Sequence, residues 1–330
     1  MANRLTTFGN ELYTGERSIN FVGRRRTWYV AAALILIVSI AFPVFRGFNF
    51  SIEFRGGSQF VIANVQNPTA AVANAAVAEV DPDTVAKVSI VGTTGVRVQT
   101  EELSVEDSRK LADTLAEAYG VDVTEVTASF IGPSWGQDVT RQALVGIVAF
   151  LLLAAIGMAI YFRTWKMSVA AILSLLADLV VTVGVYSITG VEVSPAAMIG
   201  VLTILAYSLY DTVVVFDKIR ENTLNFGPES SRTFGGQVNL AVNQTLVRSI
   251  NTSVVAALPV GAILFIGAFA LGADTLRDIS LALFIGIIVG TWSTVFLAAP
   301  MYAQFREREP KIRKANQRIE TVQAAQALEA

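Results

Sequence analysis

The sequence predicts a membrane all-α bundle of six transmembrane helices carrying one α+β domain (ferredoxin-like, βαββαβ) outside the membrane. Three observations predict it. Six apolar runs reach the about 20 residues needed to cross a bilayer. A long stretch of soluble character separates the first two. Lys and Arg gather on one set of loops. The composition agrees: 53% of the 330 residues are hydrophobic and only 16% are charged, with a mean hydropathy of +0.54. That is too apolar for an ordinary soluble enzyme. A net charge of -2 gives no footprint for nucleic acid. With no cysteine and no histidine in the chain, disulfides and thiolate or imidazole metal sites are excluded. Any proton chemistry must run on carboxylates, water and tyrosine.

Residues 1–27 read as a cytoplasmic tail. The first run, Trp28 to Phe45 within a predicted helix 28–46, has a basic approach in Arg24, Arg25 and Arg26. Phe42-Pro43-Val44-Phe45-Arg46 offers no small-x-small cleavage site, so the run reads as an uncleaved anchor rather than a signal peptide.

Residues 47–140 read as the soluble domain. Phe50 to Ile62 is a predicted strand interrupted by Gly56 and Gly57, which suit either a bulge near the membrane or a hinge. Thr69 to Val80 is Ala-rich and helical, stopped by Asp81-Pro82. Val85 to Val91 alternates as a strand, and a Gly92–Gly95 turn leads to its hairpin partner at Val96 to Gln99. Ser104 with Asp107 makes a variant capping box for a helix that ends at Tyr119, before Gly120. Val121 to Phe130 alternates again. The order is β-α-β-β-α-β, a fold that by itself fixes no function.

Residues 141–305 hold the remaining spans: Ala143 to Phe162, Met167 to Thr189, Val193 to Phe216, Ser249 to Ala273 and Ile279 to Phe305, with a cytoplasmic loop at 217–248 and a tail at 306–330. Pro195 suits the first turn of the fourth span. Pro259 predicts a kink in the fifth, static or gating. Gly286-x-x-x-Gly290 predicts a close-packing surface in the sixth. Arg4, Arg17, Arg24, Arg25 and Arg26 lie before the first span; Arg163 and Lys166 follow the second; Lys218, Arg220 and Arg232 follow the fourth. The last tail adds Arg306, Arg308, Lys311, Arg313, Lys314 and Arg318, whereas the opposite short loops carry Arg277. Both termini are therefore expected in the cytoplasm and the domain outside.

Three ionisable residues stand at membrane depth. Asp178 is central in the third run, Asp211 lies late in the fourth, and Arg248 stands at the threshold of the fifth. Such groups cost several kcal/mol unless paired or hydrated, so they are functional candidates. Asp211 shares a helix face with Ser208, Tyr207, Ile204 and Gly200; Asp178 shares one with Ser174, Ala171, Thr182 and Val185. Helix rise makes an Asp211–Arg248 contact possible, one that protonation would release. The same residues could equally form a static buried pair that fixes packing. No phosphate loop, nucleophile elbow, zinc spacing or dinucleotide fingerprint occurs, so no enzyme and no cofactor are expected, protons being the coupling ion.

Six ordered motifs resemble the SecD/SecF family of protein-export membrane subunits. Phe50-Ser-Ile-Glu-Phe-Arg-Gly-Gly57 is similar to the family's G-I-D-F-R-G-G, and Ile131-Gly-Pro-Ser-Trp-Gly136 to V-G-P-S-V-G. Leu176-Ala-Asp-Leu-Val-Val-Thr-Val-Gly184 is similar to L-x-H-D-V-x-x-T-x-G. Ala206-Tyr-Ser-Leu-Tyr-Asp-Thr-Val-Val-Val-Phe-Asp-Lys-Ile-Arg-Glu-Asn222 resembles G-Y-S-x-N-D-T-V-V-V-F-D-R-I-R-E-N, the most specific stretch. Gln244-Thr-Leu-Val-Arg-Ser249 resembles Q-T-x-x-R-(S/T), and Gly290-Thr-Trp-Ser-Thr-Val-Phe-Leu-Ala-Ala-Pro300 resembles G-T-Y-S-S-I-F-I-A-x-P.

The resemblance implies that Asp211 and Arg248 occupy the family's functional aspartate and arginine positions, with Asp178 in the third-span motif. Ala177 replaces a histidine and Tyr210 an asparagine; Glu53 and Lys218 keep the family's charge. It also implies partners: a SecD-type subunit, the SecY/SecE/SecG translocon, the translocating polypeptide and the bilayer of the bacterial cytoplasmic membrane. A role in proton-driven export follows. A small-molecule exporter half and a proton-independent scaffold of the translocon are the competing readings.

Overall fold

A computed structural model describes residues 2–268 and 274–329; the last residues of the predicted fifth run, 269–273, lie outside the described residues. Six of its helices are long and apolar enough to cross a membrane: Arg25–Arg46, Ser134–Phe162, Trp165–Thr189, Pro195–Thr223, Phe234–Gly267 and Thr275–Glu307. These are called the first to sixth spans. The first span runs from the end of the bundle that carries both termini to the end that carries the sheet domain, and the second returns.

The domain contains strands β1 (Gly57–Ile62), β2 (Lys87–Val91), β3 (Gly95–Thr100) and β4 (Val126–Ile131) in the order β2-β3-β1-β4, every neighbour antiparallel. One pleat face buries Phe60, Ile62, Val96 and Val98 against Ala73, Ala76 and Val77 of one helix (Ala70–Val80) and Leu111 and Leu115 of another (Val105–Tyr119). The other face is polar, with Gln99 donating to Gln59 across the strands. Ser104 caps its helix by accepting from the Asp107 amide, and Gly120 closes it in the left-handed conformation.

Two strands differ from expectation. Before β1 the chain makes a helical turn, Ile52–Arg55, instead of a strand running from Phe50. The turn is selected by packing: Ile52 is buried, and Gly136 at the start of the second span leaves room for the Phe54 carbonyl, which a β-carbon there would meet at 2.3 Å. Gly57 has φ +137 and its missing β-carbon would lie 2.4 Å from the Thr100 carbonyl, so the glycine pair makes the bend into β1. The last strand starts at Val126, because Asp122 caps a 3-10 turn over Val123–Glu125 by accepting from Thr124.

The domain is tied to the bundle where it meets the loop between the third and fourth spans. Val193 donates to the Asn49 carbonyl (2.8 Å) and Ser51 donates to Val193 (3.0 Å). Lys87 on β2 reaches Glu192 at 3.0 Å and Asn49 at 2.9 Å.

At the opposite end, the loop expected over 217–248 is mostly helix. The fourth-span helix continues to Thr223 and the fifth-span helix begins at Phe234, capped by Thr233. Arg248 is therefore mid-helix rather than at a threshold. The tails are also largely helical, Ala2–Thr14 and Pro310–Glu329; the first buries Leu12, and the second buries Ile312, Ala315 and Ile319. The segment between the first tail helix and the first span is held by two asparagines of the fifth. Asn239 Oδ1 accepts from the Phe21 and Val22 amides, and Asn243 Oδ1 accepts from Ile19 (2.8 Å). Ion pairs Arg25–Glu307 and Lys166–Glu309 close this end. Burial raises the Glu309 pKa, but hydrogen bonds and charge from Lys166 and Arg306 outweigh it and hold the carboxyl below its usual value.

The predicted structural residues of the bundle are all in helices. Pro195 opens the fourth-span helix, with Ser194 capping by accepting from Ala197. Pro259 lies inside the fifth, which passes into a π-helical turn at Ile263–Ala268. A second π-helical turn, Thr294–Ala298, interrupts the sixth. Such turns widen the helix and re-aim the side chains beside them.

Candidate functional site

The fourth span supplies the frame. Its residues Gly200, Ile204, Ser208 and Thr212 recur every four positions and so share one face. That face interlocks with the sixth span. A β-carbon on Gly200 would meet that of Ala282 at 2.8 Å, one on Gly286 would meet Ile204 at 2.1 Å, and one on Gly290 would meet Ser208 at 2.9 Å. Below these, the hydroxyls of Thr212 and Thr294 share a 2.9 Å hydrogen bond. The predicted Gly286–Gly290 surface thus lies against the span that carries Asp211.

This close approach places Ser208 deep enough to reach the third span. Its hydroxyl donates to Asp178 Oδ2 at 2.5 Å. Asp178 is 2% exposed, and its Oδ1 has no hydrogen-bond partner among the described residues. Ser293 of the sixth span lies beside the same carboxylate. Above and below Asp178, the third span presents Ser174, Thr182 and Tyr186, all buried and four residues apart. The hydroxyls of Ser174 and Thr182 also have no partner among the described residues.

Asp211, 6% exposed, follows Ser208 by three residues and faces the fifth span. Ser249 donates to its Oδ1 at 2.8 Å, whereas Oδ2 is buried without a partner among the described residues. Nearby, the buried Tyr207 hydroxyl lies beside Ser253, which shares a hydrogen bond with Thr291.

The expected Asp211–Arg248 contact is not formed. Arg248 is exposed, and no ion pair joins the two among the described residues; it acts on Asp211 through space only. The reason is helical phase. On the fifth span, Val242, Thr245 and Ser249 point into the bundle, so Arg248, about 100° away from Ser249, is turned outward. The sequence face grouping had placed Ser208 with Asp211, but its hydroxyl goes to Asp178. Tyr210, the departure beside Asp211, stands on the exposed flank of the helix and leaves the carboxylate's hydrogen bond untouched.

Sequence reasoning missed Ser249, Thr294 and Asp278. Ser249 could have been found, since it completes the same short motif as Arg248. Asp278 lies one residue before the predicted sixth span, beside Arg277, outside the apolar runs searched for charges. It is buried, and Ser194 donates to its Oδ2 at 2.6 Å.

Comparison with known proteins decides the family. The family described as protein export membrane protein SecD/SecF, C-terminal, matches residues 110–308. The chain belongs to the SecD/SecF family. The SecD/SecF GG motif matches residues 41–63, around Gly56 and Gly57. The protein translocase subunit SecF of Mycobacterium tuberculosis (strain CDC 1551 / Oshkosh) is 40% identical over 327 residues, covering 95% of this chain and 73% of that one. The SecF of Streptomyces coelicolor is also 40% identical, covering 96% of this chain and 84% of its own length. Among solved structures, the crystal structure of SecDF, a translocon-associated membrane protein from Thermus, superposes with a TM-score of 0.77 at 30% identity, over 88% of this chain and 39% of that one. SecDF in a super-membrane-facing form gives a TM-score of 0.64 at 29% identity, over 91% of this chain and 40% of that one. The chain is therefore a multi-pass membrane protein of protein export, a translocase subunit of the SecD/SecF type with a transport role.

Proposed function

We propose that this subunit uses the proton motive force to promote polypeptide export, with Asp211 as the residue that takes up and releases the proton. One observation carries the reading. At membrane depth Asp211 is held by one oxygen to Ser249 of the neighbouring span, and its second oxygen is buried without a protein partner among the described residues. The held oxygen fixes the carboxyl; the second can carry a proton. Arg248, one residue from Ser249 on the same helix, senses the charge on Asp211 without touching it, so each proton exchange alters the balance between the fourth and fifth spans. Asp178 is bonded to Ser208, which lies one helical turn from Asp211 on the same span. One charge crossing 100 mV supplies roughly 2.3 kcal/mol, the size of a typical coupling between sites.

The Lys and Arg distribution favours both termini in the cytoplasm and the domain, read as a ferredoxin-like βαββαβ unit, outside. There it moves with the bundle and meets the emerging chain. Relatives in which a SecDF is one polypeptide, such as that of Bacillus subtilis, favour a SecD-type partner for this subunit, working beside the SecY/SecE/SecG translocon. The test is Asp211→Asn in the assembled complex, scored for export stimulation and proton flux. Both should fall to background while the complex assembles normally. Undiminished export in that variant would sink the proposal and favour a packing role for the Asp211–Ser249 pair.

A further inference from the structure

A third buried carboxylate, Asp278, stands at the domain-facing end of the sixth span, 5% exposed. Its Oδ2 accepts from Ser194 at 2.6 Å, its Oδ1 lies 3.4 Å from Arg277 Nε, and its backbone carbonyl accepts from the Tyr186 hydroxyl at 2.7 Å. Three elements thus converge on it: the cap of the fourth span, the end of the third and the start of the sixth. Among the described residues, the ionisable groups facing it are Tyr186 from the third span and Arg277 from its own turn; Glu192 in the adjoining loop is paired with Lys87.

Tyr186 is also the last member of the third-span stripe. From it, Thr182 and Asp178 follow at successive four-residue steps on one helix face. The walk covers eight residues, about 12 Å of helix rise. Its surroundings are apolar: Leu179, Val201, Leu281 and Ala282 pack around the Tyr186 end. A threonine hydroxyl buried in such packing without a partner costs about 1–3 kcal/mol. Thr182 is in that condition, and so is Asp178 Oδ1 one turn away. Threonine in a helix ordinarily returns its hydroxyl to the carbonyl four residues back, as Thr245 does here. That Thr182 does not leaves its hydroxyl free for a hydrogen-bonded chain between Asp278 and Asp178.

We propose that Asp278 is the proton-collecting group at the domain-facing mouth of the bundle, and that Thr182 relays protons from it to Asp178 and so to Asp211. This rests on the reading of Asp211 given above. A proton from water outside forms an O–H bond on the Asp278 carboxyl. Each later hop breaks one O–H bond and forms the next, through Thr182 and bridging waters, until Asp178 is protonated and Asp278 is again a carboxylate.

Proton flux into proteoliposomes holding the complete complex with its SecD-type partner tests the assignment. Asp278→Asn should lower flux at least tenfold, Asp278→Glu should recover at least half of it, and Thr182→Val should lower it several-fold, all with normal assembly. If Asp278→Asn conducts like the parent while Asp211→Asn is silent, Asp278 is not the mouth and the reading of Asp211 stands. If Asn and Glu at 278 are equally impaired, the position serves packing and the inference falls. If Asp211→Asn conducts like the parent, the underlying reading fails instead.

Discussion

The fourth span meets its two neighbours in opposite ways. Toward the sixth it interdigitates, glycine against bulk in both directions, and ends in a threonine–threonine bond. Toward the fifth, at the level of Asp211, it is joined by one hydroxyl–carboxylate bond from Ser249. Interlocked surfaces shift in discrete steps or not at all, because packed interiors do not deform continuously. A single polar contact can be made and broken. The comparison teaches where motion can be placed: the fourth and sixth spans pack as one body, and under the role proposed for Asp211 the response to its charge would fall on the fifth.

The interlock is the easier side to break. Gly286→Ala puts a β-carbon onto Ile204, and overpacking of this kind costs about 1–3 kcal/mol. Thermal unfolding in micelles should show a clearly lowered midpoint, partly restored by adding Ile204→Ala. An unchanged midpoint would mean that the two spans are not packed as a unit. The looser side should give a smaller, local effect. Ser249→Ala removes a hydrogen bond worth about 0.5–1.5 kcal/mol. Hydrogen exchange should then rise along the fifth span and not along the sixth, and equal changes on both would contradict the division.

The smallest effect is expected at the terminal end, away from both interfaces. Glu309→Gln loses the pairing with Lys166 and Arg306, a partly exposed cluster worth less than about 1 kcal/mol. Because the folded pKa of Glu309 is depressed, its contribution is present above the unfolded value of about 4.3 and is lost as pH falls through the folded one. Parent and variant should therefore differ at neutral pH and converge in acid. A difference that grew on acidification would reverse the sign.

The spans were legible in the sequence because a bilayer imposes length and apolarity, and the ends of such runs are set by single residues such as Ser194 and Pro195. The strand before Gly57 was not, because its alternation is local whereas the turn at Ile52–Arg55 is chosen by contact with Gly136, far along the chain. At the candidate site, Asp178 and Asp211 stood out as charges in apolar runs. Their pairings did not: helical spacing grouped Ser208 with Asp211, whereas packing of the third span turns its hydroxyl to Asp178. Depth along the helices favoured Arg248 for Asp211; helical phase gave the place to its neighbour Ser249.

The asparagine collar has a consequence for biosynthesis. Ile19 is held by Asn243, a residue 224 positions later in the chain. When the first span enters the membrane, the groups that will seat the segment before it have not yet been translated. The amino-terminal strap must therefore wait, undocked, until the fifth span arrives. The beginning of the polypeptide is among the last parts of the bundle to fold, and its docking reports that the later spans are in register.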